Sequence, residues 1–225
     1  MEKIINTWLI GEVIRVMRIN RAFIWHMHTI KMDANILKFF SSLSSVKAYV
    51  MVGNSERLPK KHLRYVMDGM RLIDLVVDNI RSMGFRVIVY SKYPLDVNAE
   101  VILDSSTWLG EALYNILQSD DSFFVFGGDM PLIRREAVEM IIREGNLEIT
   151  TVPRWRKTGY LEPLHAFYRS DVAQCFRRGK SLTEMILGCP RVKFVSADNM
   201  PRESFFNVNT EDDLNKLRKL LAGTK

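Results

Sequence analysis

From Lys47 onward, short apolar runs typical of buried strands alternate with segments whose apolar residues recur at helical spacing. We predict strands at 48–52, 86–90, 100–103, 122–126, 148–152, 164–168 and 192–196, and helices at 70–83, 109–117, 134–144 and from Thr210 onward. Strands and helices in this order favour an α/β fold with a mostly parallel sheet and helices on both of its faces.

The charge balance favours an anionic partner. The 225 residues include 32 Lys and Arg against 26 Asp and Glu, a net charge of +6 that suits phosphate esters. Because the basic residues are scattered and lack the interleaved aromatic motif of RNA-binding sheets, we expect no nucleic acid partner. No apolar run approaches the ~18 residues that a membrane span needs.

The two cysteines, Cys175 and Cys189, form no CxxC motif and have no histidine at a zinc-finger spacing. We therefore predict neither a metal cluster nor a disulfide framework, and we expect a cytoplasmic protein.

Residues 1–46 differ from the rest of the chain. Apolar stripes at 9–17 and 36–43 have helical spacing, and the first has charged residues opposite it. We predict an N-terminal helical extension that packs on the domain or on a second subunit, followed by the main domain at 47–225. A natural start at Met32, or a helix that lies on a membrane, are the alternatives.

A glycine-rich turn, Gly127-Gly128-Asp129-Met130-Pro131, directly follows a predicted buried strand. Open α/β sheets bind ligands at the carboxyl ends of their strands. The glycines let the backbone approach a ligand, and the Asp129 carboxylate is a hard oxygen donor for Mg²⁺. An ordinary turn with an Asp cap is the alternative.

The loop after the first strand has the composition of a phosphate-binding loop. Its small residues can turn backbone N–H groups toward phosphate oxygens, and its basic residues add positive charge. The candidate residues are Val52, Gly53, Asn54, Ser55, Arg57, Lys60, Lys61 and His62. A polar connecting loop without a ligand is the alternative.

Two further clusters complete the candidate site. Tyr90 and Asp104 end strands and Gly110 opens a helix, so they are candidates for binding a base, a ribose or an anion, although such an Asp is often only a cap. Asn207 and Asn209 alternate with apolar residues, so in an extended segment their amides share one face and can supply oxygens to a metal held by Asp129.

Taken together, these motifs resemble the molybdenum cofactor guanylyltransferases, over the chain from Lys47 to its end. That family has Gly-Gly-x-Ser-x-Arg, Gly-Asp-Met-Pro, Glu-Pro-Leu-x-Ala-x-Tyr-Arg, Gly-x-Ser-Leu and Asn-x-Asn-Thr-x-x-Asp-Leu motifs. They are matched, in the same order, at 52–57, 128–131, 162–169, 179–182 and 207–214. Val52 and Pro59 replace family glycines and His62 replaces the family lysine, which weakens the expected grip on a triphosphate.

The resemblance implies a Rossmann-like, three-layer α/β/α nucleotidyltransferase fold and transfer of GMP from GTP to the phosphate of the molybdenum-pterin cofactor. Pyrophosphate is released and Mg²⁺ is the cofactor. It implies that Asp129 holds the metal, with Asn207 and Asn209, and that Arg57, with Lys60 or Lys61, stabilises the leaving pyrophosphate. Cofactor-biosynthesis proteins or molybdoenzymes are the expected protein partners. The alternatives are a cytidylyltransferase for the same cofactor and a non-catalytic carrier with a degenerate phosphate loop.

Overall fold

The computed structural model describes residues 46–176 and 179–223. The predicted N-terminal extension lies, except for Val46, outside the described residues. Within the described part, the strands are β1 (Lys47–Val52), β2 (Tyr65–Met67), β3 (Met70–Arg71), β4 (Arg86–Ser91), β5 (Glu100–Leu103), β6 (Ser122–Gly127), β7 (Thr150–Arg154), β8 (His165–Arg169) and β9 (Val192–Ser196). The α-helices are α1 (Leu72–Ser82), α2 (Leu109–Ser119), α3 (Arg135–Gly145), α4 (Leu182–Leu187) and α5 (Glu211–Ala222).

A seven-stranded sheet in the order β5-β4-β1-β6-β8-β7-β9 forms the centre of the fold. The pairs β4–β5, β1–β4, β1–β6 and β7–β9 are parallel, whereas β8 is antiparallel to both β6 and β7. The predicted α/β fold with a mostly parallel sheet is confirmed. The sequence does not reveal that β8 is antiparallel, because the pattern of apolar residues in a strand does not depend on the direction in which the strand runs.

Both faces of the sheet are covered, which explains why its central strands are continuous apolar runs. On one face Tyr49, Phe123 and Tyr168 form a buried cluster with residues of α2 and α4. Successive side chains of a strand point to opposite faces of the sheet, so the residues between these face the other side. On that side the Phe85 ring packs on Phe124, with ring centroids 5.1 Å apart.

A smaller apolar cluster fixes the loop after β1 to the C-terminal part of the chain. Leu58 from that loop packs in one cluster with Val208 and with Leu214 of α5. The loop that carries the predicted phosphate-binding residues is therefore anchored on the segment that carries Asn207 and Asn209.

The polar segment 53–71 is more structured than its composition predicts. A short 3₁₀ helix covers Lys61–Leu63, and β2 and β3 form a hairpin whose turn contains Gly69 at a φ of 72°. Consequently α1 begins at Leu72 and not at Met70. The end of α3 also differs, because Asn146 at a φ of 52° adopts the left-handed conformation, one residue after the predicted stop at Gly145.

The prediction that the cysteines form no disulfide is wrong. Cys175 and Cys189 are disulfide-bonded, with their Cα atoms 5.6 Å apart. A 3₁₀ helix ends at Cys175 and Cys189 follows shortly after α4, and both residues pack on the cluster around α2. Tertiary packing brings the two thiols together, and their spacing in the sequence gives no sign of it. Among the helices that the structure describes, none is long and apolar enough to cross a membrane.

Candidate active site

A cleft of about 270 Å³ opens at the carboxyl ends of β1, β4, β5 and β6. The predicted nucleotide-binding residues that line it are Val52, Gly53, Asn54, Lys61, His62, Tyr90, Asp104 and Asp129. The lining residues that sequence reasoning missed are Met51, Lys92, Trp108, Leu109 and Leu164. Of these, Lys92 could have been predicted from the sequence, because it is a charged residue directly after a buried strand.

The sheet topology explains the position of the cleft. From β1 the chain moves outward to β4 and β5, and it then returns to β6 on the other side of β1. Loops that leave the sheet in opposite directions separate at this point, and the crevice between them is where open α/β sheets bind ligands.

Asp129 is held by a turn that needs both glycines. A Cβ on Gly127 would lie 2.7 Å from Asp129 Oδ1, and one on Gly128 would lie 2.8 Å from a methyl of Val52. The Gly128 N–H donates to the Met51 carbonyl at 2.9 Å, and the Val208 N–H donates to the Asp129 carbonyl at 2.9 Å. The backbone of the turn that carries Asp129 is thus fixed between β1 and the C-terminal segment.

Lys61 brings a buried ammonium to that carboxylate. Only 6% of Lys61 is exposed, and its Nζ lies 2.5 Å from Asp129 Oδ2 and 2.9 Å from Asn209 Oδ1. Burial of an ammonium is costly unless it is paired and hydrogen-bonded, so both partners are needed to keep it there. The three residues join the loop after β1, the turn after β6 and the segment before α5.

His62, next to Lys61, is also buried but contributes no positive charge. It is 2% exposed, and its Nδ1 lies 3.1 Å from the Tyr93 hydroxyl. Burial, with a smaller effect of the Lys61 charge, lowers the pKa of His62 to about 4 despite the opposing effect of Asp129. The ring is therefore neutral at pH 7. The positive charge that the family motif assigns to the position of His62 comes from Lys61 in this chain.

The opposite end of the cleft contains a second ion pair. Lys92 Nζ lies 2.8 Å from Asp104 Oδ2, and Asp104 Oδ1 accepts the Ser106 N–H at 2.8 Å. Gly110 lies beneath this end and not on the surface of the cleft. A Cβ on Gly110 would lie 1.9 Å from the Trp108 ring, so the absence of a side chain there lets the indole pack on α2.

Several predicted residues are not part of the cleft lining. Arg57 and Lys60 are exposed, and Ser55 Oγ accepts the Leu58 N–H at 3.3 Å. Ser55 and Lys60 line a neighbouring cavity of about 590 Å³. Asn207 is half-buried and donates its amide N–H to the Phe205 carbonyl at 2.9 Å.

His165 of the Glu-Pro-Leu-His-Ala segment is fully buried. Its ring lies between Phe126 and Phe205, with centroid distances of 5.4 and 5.0 Å. Burial lowers the pKa of His165 to about 4. It is not among the cleft-lining residues and packs behind the site.

The donor set around Asp129 fits a magnesium ion that arrives with phosphates. Among the described residues, no group of three or more His, Cys, Asp or Glu side chains could hold a metal by itself. Mg²⁺ is commonly bound through one or two carboxylates together with substrate phosphates and water. Gly127 leaves room beside Asp129 Oδ1 that a side chain would fill, and Asn209 supplies an amide oxygen on the other side of Lys61.

Comparison with known proteins points to one family. The profile of the MobA-like NTP transferase domain matches residues 50–185. A probable molybdenum cofactor guanylyltransferase of Pyrococcus horikoshii is 35% identical, over 75% of this chain and 96% of that protein. One from Thermococcus gammatolerans is 40% identical, over 77% and 99%.

Solved structures agree on the fold. The molybdopterin-guanine dinucleotide biosynthesis protein A of Archaeoglobus fulgidus superposes with a TM-score of 0.65 at 22% identity, over 79% of this chain and all of that one. A 4-diphosphocytidyl-2C-methyl-D-erythritol synthase from Anaerococcus prevotii has a TM-score of 0.57 at 10% identity, over 80% and 99%.

Proposed function

This chain belongs to the MobA-like NTP transferase family, and we propose that it transfers GMP from GTP to the phosphate of the molybdenum-pterin cofactor, releasing pyrophosphate. The names of the relatives support the choice of substrates. The observation that carries the proposal is the buried Lys61–Asp129 pair at the carboxyl end of β6, because it sets a cation and a metal-binding carboxylate at one point of the cleft.

The distribution of polar groups supports one orientation of the nucleotide. Asp104 follows β5, Gly53 follows β1 and Asp129 follows β6. With strands ~4.8 Å apart, the ends of β5 and β6 are separated by roughly 14 Å, a distance over which an extended nucleotide can lie. We assign the nucleoside to the Asp104 and Tyr90 end and the phosphates to the Lys61 end.

The proposed reaction needs no covalent intermediate on the protein. The pterin phosphate is already an anion at neutral pH, so it attacks the α-phosphorus directly while the bond to pyrophosphate breaks. The protein must hold the two phosphates in line and offset their charge. His62, neutral at pH 7, forms part of the cleft wall and no proton abstraction is required of it.

Charge neutralisation falls to a few side chains. Lys61, with backbone N–H groups of Gly53 and Asn54, would contact the phosphates, and Mg²⁺ held by Asp129 would supply Lewis-acid stabilisation of the developing charge. We assign Asn207 and Asn209 to completing or orienting that metal shell. We assign contact with the leaving pyrophosphate to Arg57, with Lys60 as the alternative to Lys61; both Arg57 and Lys60 are exposed on the loop after β1.

The test is pyrophosphate release with GTP, CTP and ATP, each with and without Mg²⁺, in the presence of molybdenum-loaded pterin. We expect pyrophosphate release only with GTP, and only when Mg²⁺ is present. Release with CTP would reassign the protein as a cytidylyltransferase. Binding of the pterin without release from any nucleotide would contradict an enzymatic role and favour the carrier.

A further inference from the structure

Lys92 lies in the cleft, and its ammonium is held by groups of the protein itself. Its Nζ lies 2.8 Å from Asp104 Oδ2 and donates to both the carbonyl and the hydroxyl oxygen of Ser106, the latter at 3.0 Å. The ammonium thus donates to two oxygens of Ser106 and is ion-paired with Asp104. Lys92 is therefore arranged to hold the turn after β5 and not to contact a ligand directly.

The backbone of Lys92 connects the same turn to the loop after β1. Its N–H donates to the Val52 carbonyl at 3.0 Å, while the Asp104 N–H donates to the Ser91 carbonyl at 2.7 Å. One residue thus links the start of the glycine-containing loop, the end of β4 and the turn that carries Asp104.

The Asp104 carboxylate is buried and therefore depends on its partners. The Asp104 side chain is 6% exposed and Ser106 is 7% exposed, whereas the Lys92 side chain is 24% exposed. An ionised carboxylate in such a place needs a cation beside it, and Lys92 supplies that cation in the structure. Oδ1 accepts the Ser106 N–H and Oδ2 is ion-paired with Lys92, and the remaining lone pairs of the carboxylate can only accept hydrogen bonds.

We propose that Lys92 is a positioning residue for nucleotide selection, which fixes the Asp104 carboxylate to accept hydrogen bonds from donor groups of the nucleoside. This inference rests on the proposed function. The shared chemistry is an N–H or O–H donor, available either on the guanine edge, at N1 and the 2-amino group, or on the ribose hydroxyls.

The experiment compares Lys92→Met, which keeps the length of the side chain without its charge, with Lys92→Arg, which keeps the charge. We expect Lys92→Met to raise the KM for GTP roughly 10- to 100-fold with little change in kcat, because the Asp104 carboxylate loses its partner at the nucleoside end. Lys92→Arg should recover most of the affinity. Pyrophosphate binding, measured by calorimetry, should be unchanged in both variants, since it reports the phosphate end alone.

Lys47→Met is the matched control. Lys47 pairs with Asp120, with side chains 33% and 13% exposed, but at the opposite end of β1. It should lower thermal stability and leave the KM for GTP as in the wild type. Wild-type KM in Lys92→Met, or equal weakening of GTP and pyrophosphate, would overturn the inference.

Two analogues identify the donor group. Inosine triphosphate lacks the 2-amino group, and 2′-deoxy-GTP lacks a ribose hydroxyl. The wild type should bind one of them more weakly than GTP, and that difference should shrink in Lys92→Met. An undiminished difference in the variant would contradict the positioning role. If the wild type prefers another nucleotide, the proposed function fails, and the same variants then test Lys92 with the preferred nucleotide.

Discussion

Lys61 and His62 are adjacent and both buried, but Lys61 presents an ammonium and His62 a neutral ring. The 3₁₀ turn that begins at Lys61 directs its ammonium onto Asp129, while the His62 ring meets the hydroxyl of Tyr93. The chain thus keeps a cation at the phosphate end although the family position for lysine holds histidine. A shift of one residue in a short turn accounts for this; the sequence alone favoured Lys61 and left Lys60 as an alternative.

Asp129 should be indispensable for turnover. We expect Asp129→Ala to lower kcat with GTP at least ~10²-fold, because a principal charge-stabilising group is removed. Since the variant also leaves Lys61 buried without its carboxylate, its unfolding must be measured alongside its rate. Asp129→Asn keeps the volume and a hydrogen-bond acceptor, and it should be folded but equally slow. Near-normal turnover in Asp129→Asn would rule out a metal-binding role.

Lys61→Ala and His62→Ala should differ. Loss of the ammonium removes charge from the phosphate end, so we expect Lys61→Ala to lower kcat/KM by about 10²-fold and His62→Ala by less than about 10-fold. Lys219→Ala, on the exposed side of α5, is the control for general loss of positive charge. Equal, small effects at the two positions would mean that this loop does not hold a triphosphate.

At the scale of elements, the start of α5 determines the position of Asn209. Thr210 Oγ1 accepts the Asp213 N–H at 3.2 Å, and the Asp213 carboxylate accepts the N–H groups of both Thr210 and Asn209. This capping box therefore orients the amide that contacts Lys61 as well as stabilising the helix.

Thr210→Ala should cost about 1 kcal/mol of unfolding free energy, the usual effect of losing an N-cap side chain. It should also lower kcat/KM several-fold, because Asn209 loses its fixed position beside Lys61. Urea unfolding and steady-state rates measure the two effects. Thr210→Ser keeps the hydroxyl and should behave as the wild type. If Thr210→Ala destabilises the protein without changing the rate, the cap serves the helix alone.

Most elements could be predicted because their apolar spacing is regular. The strands β1, β4, β5 and β6 and the helix α2 follow patterns that local sequence determines. The hairpin of β2 and β3 was missed because both strands are short and half-exposed, and the disulfide was missed because it depends on how α4 packs against its neighbours.

Those residues of the candidate site that lie at the ends of strands could be predicted from the sequence. Asp104 directly follows β5 and Asp129 lies two residues after the end of β6, so the sheet topology had to bring them to one edge. The partners of these carboxylates were not predictable, because whether Lys61 or Lys92 reaches a carboxylate depends on turn geometry and not on composition.

At the scale of the whole molecule, stability should depend on pH through two buried histidines. His62 and His165 have pKa values of about 4 in the folded protein, below the ordinary value of 6.5. Between these values the unfolded chain binds protons that the folded protein does not, so stability is complete above pH 6.5 and falls as the pH approaches 4. The loss is roughly 3 kcal/mol per histidine at the low end.

Urea unfolding at pH 7 and pH 5 measures this effect. His165→Phe, which replaces one ring among aromatic neighbours by another, should reduce the pH dependence without abolishing the fold. An unfolding free energy that is the same at both pH values would show that these imidazoles bind protons as readily in the folded protein as in the unfolded chain.

The antiparallel strand β8 divides the sheet into two parts, each continuous in the sequence. Residues 47–127 build β5-β4-β1-β6, and residues 150–196 build β8, β7 and β9. All residues that line the cleft come from 51–129 except Leu164. Recombination between related genes at the turn after Asp129 would therefore keep the four strands β5, β4, β1 and β6 together. Such an exchange would carry over the cleft lining except Leu164, but Asn209, which contacts Lys61, would come with the other part.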